Sequence, residues 1–376
     1  MSTLEMTITP TTAAPGASTM PAAALTAGQA EQAAESAQRL FQLAAGYMAS
    51  AALQVALRLG IADHLANGPM QIDALARATH VQPDGLYRVL RALASVGVFE
   101  EHADRFFALN GPAILLRARP GSLRDITMFL TDGLHFRVYA ELLHSVQTGQ
   151  PAVERVTGMP VFELFARDTA ESDLFNDAMS SMSSTMMPAV LQAYDFSGIK
   201  VLADIAGGHG RVLGSILQAN PGMEGMLFDL DHVIAGAYEK LQEMGVSDRC
   251  EMLAGDFFYS VPRGADAYLM KHIIHDWDDE KALVILRNVR AALEDQPNGK
   301  VLLIESVIPS GPSRNEPHMG KLGDLEMMVL PGGRERTAEE FAALFARAGF
   351  TMTRIVPTAS MMSVIEAKAV TFRESR

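Results

Sequence analysis

Three acidic residues in the second half of the chain each close a short apolar run: Asp204 in VLADI, Asp229 in MLFDL and Asp256 just past CEMLA. Runs of that kind, separated by amphipathic helices, predict parallel strands with crossover helices on both faces, and ligands in such sheets bind along the carboxyl edge of the strands. The first acid leads into Ala206, Gly207, Gly208, His209 and Gly210, then into a helix expected from about Arg211 to Ala219. Glycines at such a turn let the backbone approach a ligand closely, and the helix N-terminus favours its anionic part. Nicotinamide, flavin and adenosylmethionine proteins all use this kind of turn, so it does not choose between them. Spacing does. The dinucleotide fingerprint puts GxGxxG directly after the strand with an acid about 20 residues on. In GHGRVLG the third glycine comes one place late, and an acid precedes the loop. Asp229 stands where a side chain can accept both ribose hydroxyls, while Asp256 and Phe257 offer a carboxylate to an exocyclic amine and a ring to an adenine face. Taken singly, each acid also reads as a loop or helix cap; three at successive strand ends mark one cleft.

Proton chemistry is offered by AYLMKHIIHDWDDEKALVILRNV. A strand delivers Lys271, a short helical turn follows, and Asp278 or Asp279 caps a helix carrying Ala282, Ile285 and Val289. His272 and His275, three apart, share one helical face and raise the question of a metal. Two histidines without a third ligand at tight spacing make a poor zinc site, and no metal is expected. A histidine with a pKa near ~6.5 is suited to take a proton from an acidic hydroxyl. Carboxylates must orient it. Glu305, at the end of LLIES, and Glu335, in GGRERT, are the candidates, each otherwise readable as the partner of a neighbouring arginine.

The elements that must position these residues follow from composition and periodicity. At 376 residues, 48% hydrophobic and 20% charged, the chain is long enough for one large and one smaller domain. No uninterrupted apolar run approaches the roughly 18 residues of a membrane span, which predicts a soluble protein. The first basic residue is Arg39, so the N-terminus lacks the positive region of a secretory signal. A lone cysteine, Cys250, cannot close an intrachain disulfide; both observations point to the cytoplasm. A net charge of −13 disfavours a nucleic acid gripped through its phosphates.

Residues 1–36, rich in Ala, Thr, Pro and Ser, are expected to form a disordered tail. From Leu40 to Leu65 apolar residues recur at helical spacing with almost no charge, a surface that predicts a partner, such as a second copy of the chain. Residues 71–110 read as helix, turn, helix and hairpin, a winged-helix outline. Its four arginines against five acids give −1, which favours packing or dimerisation over DNA reading. Residues 120–190 are helical and rich in Met and Phe, Phe175 and Met179 among them. Each is readable as core, and together they offer a surface that adapts to flat apolar ligands. The last two strands, FTMTRIVPT and MMSVIEAKA, are separated by a short turn and predict an antiparallel hairpin at the sheet edge.

DIAGGHG, LFDL, GDFF, KHIIHDWDDEKALVILRNVRAAL, LLIES and GGRERTAEEF, in that order, resemble the class I adenosylmethionine-dependent O-methyltransferases of the plant caffeate and flavonoid type and their bacterial natural-product relatives. The resemblance runs from about Leu40 to Ala369. It implies an α/β fold, a Rossmann-like methyltransferase sheet over 191–371, preceded by a mainly helical winged-helix-like dimerisation and acceptor-lining domain over 37–190. It implies S-adenosylmethionine as methyl donor, S-adenosylhomocysteine as product, a small aromatic hydroxyl acceptor, and a homodimer. The family's cofactor residues fall on Asp204, Gly207, Gly208, Gly210, Asp229, Asp256, Phe257 and Lys271, with Ser183 and Trp277 as further contacts. Its base falls on His275, flanked by Glu305 and Glu335, and acceptor-pocket positions fall on Phe175 and Met179. Ala206 replaces the usual first glycine, tolerable where φ is negative, and Asp231 replaces the usual proline. Relatives that methylate carbon or nitrogen, or that no longer transfer methyl groups, are the alternatives within this fold. A nicotinamide oxidoreductase is disfavoured by the loop spacing, and a winged-helix small-molecule-sensing regulator is the remaining rival.

Overall fold

Ala, Gln and Glu are strong helix formers, and AGQAEQAAESAQ opens a 32-residue helix, Ala27–Arg58. This corrects the placement of residues 27–36 in a disordered tail: intrinsic propensity, which apolar periodicity does not register, makes them helical. Residues 1–25 of that expected tail lie outside the described residues, which in this computed structural model are 26–296 and 298–370. The chain divides into two compact units, one ending at Ala49 and the other beginning at Ser50. Within the first, Leu40, Phe41, Leu43, Tyr47 and Met48 are exposed. By length and composition alone this helix is apolar enough to cross a membrane, a point missed by a search for uninterrupted apolar runs because polar residues punctuate it.

In the second unit, the winged-helix outline is borne out. Helices Ile72–Ala78 and Pro83–Ser95 pack beside a three-stranded sheet of β1 (Met70–Gln71), β2 (Glu100–His102) and β3 (Phe106–Ala108), in the order β1-β3-β2. Leu86, Leu90 and Leu93, spaced to share one helical face, are buried with Phe99 and Phe107. A 25-residue helix, Thr169–Ala193, follows further on, capped by Asp168, whose side chain accepts from the N–H groups of Ala170 and Glu171.

The main sheet comprises β4 (Val201–Ile205), β5 (Glu224–Asp229), β6 (Cys250–Ala254), β7 (Ala267–Lys271), β8 (Lys300–Glu305), β11 (Phe350–Pro357) and β12 (Ser363–Ala369). Two-residue strands β9 (Val307–Ile308) and β10 (Arg336–Thr337) pair separately in parallel. The order β11-β12-β8-β7-β4-β5-β6 reverses at β4, with β5 on one side and β7 on the other. Ligand crevices open at such a switch point. The expected antiparallel hairpin is present: β12 pairs antiparallel with both β8 and β11, leaving β11 at the edge.

Both faces of the sheet are covered, which accounts for the nearly continuous burial of β4, β7 and β8. One face packs against helices Asp279–Ala292 and Ala338–Arg347, the other against Arg211–Ala219 and the C-terminal turns of Thr169–Ala193. Asp278, rather than Asp279, caps the first of these, accepting from the Lys281 N–H at 2.9 Å. Asp231 begins a short helix, Asp231–Ile234, a first-turn position that suits an acid as well as proline.

Ala206 departs from expectation. Its φ is +56°, so the residue that replaces a glycine sits in the left-handed region where a Cβ is strained. Its N–H is fixed to the Phe228 carbonyl at 2.8 Å, and the turn does not relax. Ala206→Gly is therefore expected to stabilise the protein by about 1 kcal/mol, read as a higher urea midpoint at unchanged slope; an equal or lower midpoint would contradict the strain.

Candidate active site

At the end of β4, Asp204 is 1% exposed and its Oδ2 has no hydrogen-bond partner among the described residues. Burial pushes its carboxyl up, nearby Lys271 opposes this and Asp229 adds to it, leaving the group at about 7. Gly207 is needed beside it: an added Cβ would lie 2.7 Å from the Asp204 carboxylate and 2.5 Å from Leu227. The glycine thus makes room for the acid itself. Gly208 and Gly210 have positive φ, and the Gly208 N–H donates to Asp229 Oδ2 at 2.7 Å. The other oxygen of Asp229 accepts from its neighbour Leu230 at 2.7 Å, so this carboxylate holds the glycine turn against the end of β5. Burial raises its pKa against those two donors.

Asp256 caps its own turn, accepting from the Phe258 N–H at 2.8 Å. The rings of Phe257 and Phe258 meet Trp277 edge-on at 6.0 and 4.8 Å, and Phe162 lies 5.6 Å from the indole. Trp277 Nε1 is buried without a partner among the described residues. Strands β6 and β7 thus bring Phe257 and Trp277 together. Ser183 is not drawn into this group by any hydrogen bond: its hydroxyl donates to Met179 O of its own helix at 2.7 Å. That helix packs on the one that follows the glycine turn.

Lys271, at the end of β7, is pulled down by burial and held up by Glu305, Asp204 and Asp276, which leaves it at about 8. The turn after it carries His275, 6% exposed. Its Nδ1 lies 2.9 Å from Glu335 Oε1 and 3.5 Å from Glu305 Oε2, and its Nε2 is 3.5 Å from Asp276 Oδ1. Among the described residues neither glutamate pairs with an arginine. Glu305, fully buried at the end of β8, accepts with Oε1 from the N–H groups of Ile273 at 3.1 Å and Ile274 at 3.0 Å, fixing the turn as well as facing the ring. The ordinary pKa expected for this histidine does not hold. Burial pulls it down, but Glu305, Asp276 and Glu335 outweigh burial and push it up to about 10. Burial in turn raises Asp276 to about 7 against the pull of His275.

Asp276 is a site residue that sequence reasoning missed, because HDWDD read as a helix start; its adjacency to His275 was the available signal. A third metal-ligand candidate was missed as well. His272, His275 and Glu305 present ligand atoms all within 4.8 Å of one another, closing the gap that spacing alone left open. Among the described residues Glu305 Oε2 and His272 Nε2 are buried without a hydrogen-bond partner, whereas Nδ1 of His275 already faces Glu335. His272 itself is driven well below the usual histidine range by burial and by Lys271.

Phe175 and Met179 join an apolar cluster with Phe129, Phe165, Val329 and Leu330. Phe165 stacks on Phe175 at 4.7 Å. Beside it, His135 is buried between Asp132 and Glu326, both at 2.7 Å, and Tyr139 donates to the second oxygen of Glu326 at 2.7 Å. The wall meets the Trp277 group through its rings: Phe165 lies 6.4 Å from Phe162, and Phe162 lies 5.6 Å from the indole.

Among known families, the O-methyltransferase domain matches residues 139–351 and the O-methyltransferase dimerisation domain matches residues 41–116. A phenazine O-methyltransferase of Lysobacter antibioticus is 42% identical over 88% of this chain and 96% of its own. The solved structure of a mitomycin 7-O-methyltransferase superposes with a TM-score of 0.83 at 36% identity, covering 91% of this chain and 100% of that one. An O-methyltransferase of neocarzinostatin biosynthesis, solved with S-adenosylmethionine and 2-hydroxy-5-methyl naphthoic acid, gives 0.72 at 30% identity over 87% of this chain and 96% of that one. With a class I sheet, a helical winged domain before it and these relatives across most of its length, the chain belongs to the S-adenosylmethionine-dependent O-methyltransferases.

Proposed function

We propose that this enzyme methylates a hydroxyl of a small aromatic metabolite, with His275 as general base. The observation that carries the reading is the 2.9 Å contact between Nδ1 of His275 and Glu335: a proton held there leaves Nε2 to accept another from the acceptor. Glu305 and Glu335 orient the ring and stabilise the imidazolium that forms. S-adenosylmethionine supplies an electrophilic methyl group on a sulfonium cation. Its fit is supported by the orphaned Oδ2 of Asp204 and Nε1 of Trp277, which need polar partners, and by the aromatic pair Phe257 and Trp277, which suits a nucleobase. Asp204, Gly207, Gly208, Gly210, Asp229, Asp256, Phe257 and Lys271 are assigned to the cofactor cleft, with Ser183 and Trp277 at its wall. Phe175 and Met179 are assigned to the acceptor pocket. Residues 37–190 then serve dimerisation and acceptor lining, residues 191–371 catalysis, and the enzyme works in the cytoplasm.

A base at about 10 is a cation at neutral pH, so it must lose a proton before it can take one. A positive charge seated beside it lowers that pKa, which couples cofactor binding to activation of the base. The sign is definite: turnover rises with pH as His275 deprotonates, with a midpoint above the ordinary ~6.5. The exposed apolar residues of Ala27–Arg58 and the dimerisation domain that begins within that helix support a homodimer.

Calorimetry, turnover, thermal stability and light scattering test these assignments. In calorimetry S-adenosylhomocysteine should bind and NAD should not, and His275→Asn should keep that affinity. The same variant should lose roughly 10² to 10⁴-fold in turnover on a panel of hydroxyphenazines and dihydroxynaphthoates incubated with isotopically labelled donor. Retained turnover removes the base, and a label found on nitrogen or carbon removes the hydroxyl assignment. Asp204→Asn should abolish cofactor binding yet raise the melting temperature of the unliganded protein. A folded pKa of about 7 above an unfolded ~3.9 means that stability is lost as pH rises between those values, so the gain should grow from pH 4 to 7 and level off above. Light scattering should give a dimer, and Leu43→Asp should shift it towards monomer; a parent monomer at micromolar concentration rejects the interface.

A further inference from the structure

Glu335 has neighbours that the base assignment leaves unused. Gly333 runs so close to the turn after β7 that an added Cβ would sit 1.9 Å from the His275 carbonyl oxygen. The Arg334 N–H donates to that same oxygen at 2.7 Å. Glu335 faces the imidazole, and its own N–H is held by Asp324 Oδ1 at 2.8 Å. Successive side chains of an extended segment point opposite ways, and Arg336 accordingly turns from the ring to the backbone that carries it. Only 1% exposed, it donates from Nη1 to the Ile274 carbonyl at 3.0 Å and from Nη2 to the Trp277 carbonyl at 2.9 Å. Nε and Nη2 both reach Asp279 Oδ1, at 3.1 and 2.8 Å.

A buried guanidinium is costly unless its donors are satisfied. Here the acceptors are carbonyls on both sides of the base and the first residue of the helix beyond it. Residues 333–336 therefore grip the turn at its carbonyls, its ring and its exit.

We propose that Arg336 is a positioning residue for the methyl-transfer reaction: its guanidinium locks the turn 274–277 to the Asp279 helix start and so holds the His275 ring against Glu335 and Glu305. The proposal rests on the reading of His275 as base. Lysine keeps the charge but lacks the planar fork that reaches two carbonyls and a carboxylate together. Arg336→Lys thus loosens the turn and lets the ring drift from its carboxylates. Since those carboxylates keep the imidazole basic, its affinity for a proton falls, while kcat, compared on the high-pH plateau of each enzyme where the ring is neutral, falls because the ring is misplaced.

The test combines three measurements on Arg336→Lys and the parent. These are calorimetric affinity for S-adenosylhomocysteine, an NMR titration of the His275 ring in protein labelled at histidine Cε1, and turnover on the best-methylated member of the hydroxyaromatic panel. The expected result is an unchanged affinity, a His275 midpoint lowered by about a unit or more, and kcat reduced roughly tenfold to 10²-fold with little change in KM. A staple that only stabilises the fold would lower the melting temperature and leave both the titration and kcat of the folded enzyme in place; that result overturns the proposal. Should Arg336→Lys fail to fold, Asp279→Asn alters the half-exposed outer end of the clamp. It should move the midpoint the same way by less, and an unmoved midpoint there overturns the proposal equally. Full turnover in His275→Asn would instead sink the base, whereas an inactive His275→Asn beside an unaltered Arg336→Lys rejects the clamp alone.

Discussion

The site is organised around an uncompensated cluster of buried charge. Asp204, Asp276, Glu305 and Glu335 face Lys271 and His275 in a region almost without solvent exposure, four potential anions against two potential cations. Full ionisation is not sustainable there, because desolvation penalises each charge that lacks a partner. The cluster responds by holding protons: burial raises Asp204 and Asp276 to about 7, and the carboxylates keep one on His275. A cationic ligand is the species this arrangement is short of. That deficit favours a positively charged ligand over a neutral or anionic one at this edge of the sheet.

Strand order is what gathers these groups. β7 and β8 are neighbours, so Lys271 and Glu305 end side by side although 34 positions of sequence separate 271 from 305. β4 lies on the other side of β7, which brings Asp204 to the same rim. Glu335 arrives by a separate route. The short pairing of β10 with β9, just after β8, returns the chain to the turn that carries His275. A turn supported from two strands and a returning segment can keep a strained backbone and a buried imidazole in place.

Much of this was legible in the sequence. Apolar runs ending in acid gave the strands and the acids at their carboxyl edge. The antiparallel hairpin and the winged helix followed from periodicity and turn residues. What periodicity cannot supply is the electrostatic sum of residues distant in sequence. His275 taken alone has an ordinary pKa; only its three carboxylates together raise it, and one of them, Asp276, was disguised as a helix start. Arg336 and Asp324 were hidden for a related reason, since the groups that tie them to the turn and to Glu335 are backbone carbonyls and an N–H, which carry no side-chain signature. Helix Ala27–Arg58 was cut short because propensity, rather than pattern, extends it towards the N-terminus.

Backbone strain marks the same place as the charge. Six described non-glycine residues have positive φ: His80, Phe99, Asp104 and Arg105 in the winged part, and Ala206 and His272 in the main sheet. The last two immediately follow β4 and β7, the adjacent strands at the switch point. Both are pinned by the strand next door, Ala206 by the Phe228 carbonyl at 2.8 Å and His272 by the Ile304 carbonyl at 3.2 Å. Residues in sparsely populated backbone regions persist only where their surroundings over-determine them. Here sheet hydrogen bonds on both sides do so, and the gain is geometric. Each chain turns sharply off its strand within one residue, one into the glycine turn that frames Asp204 and the other into the turn that presents His275. A relaxed exit from either strand would extend the sheet and carry those side chains away from the crevice where the order of strands reverses.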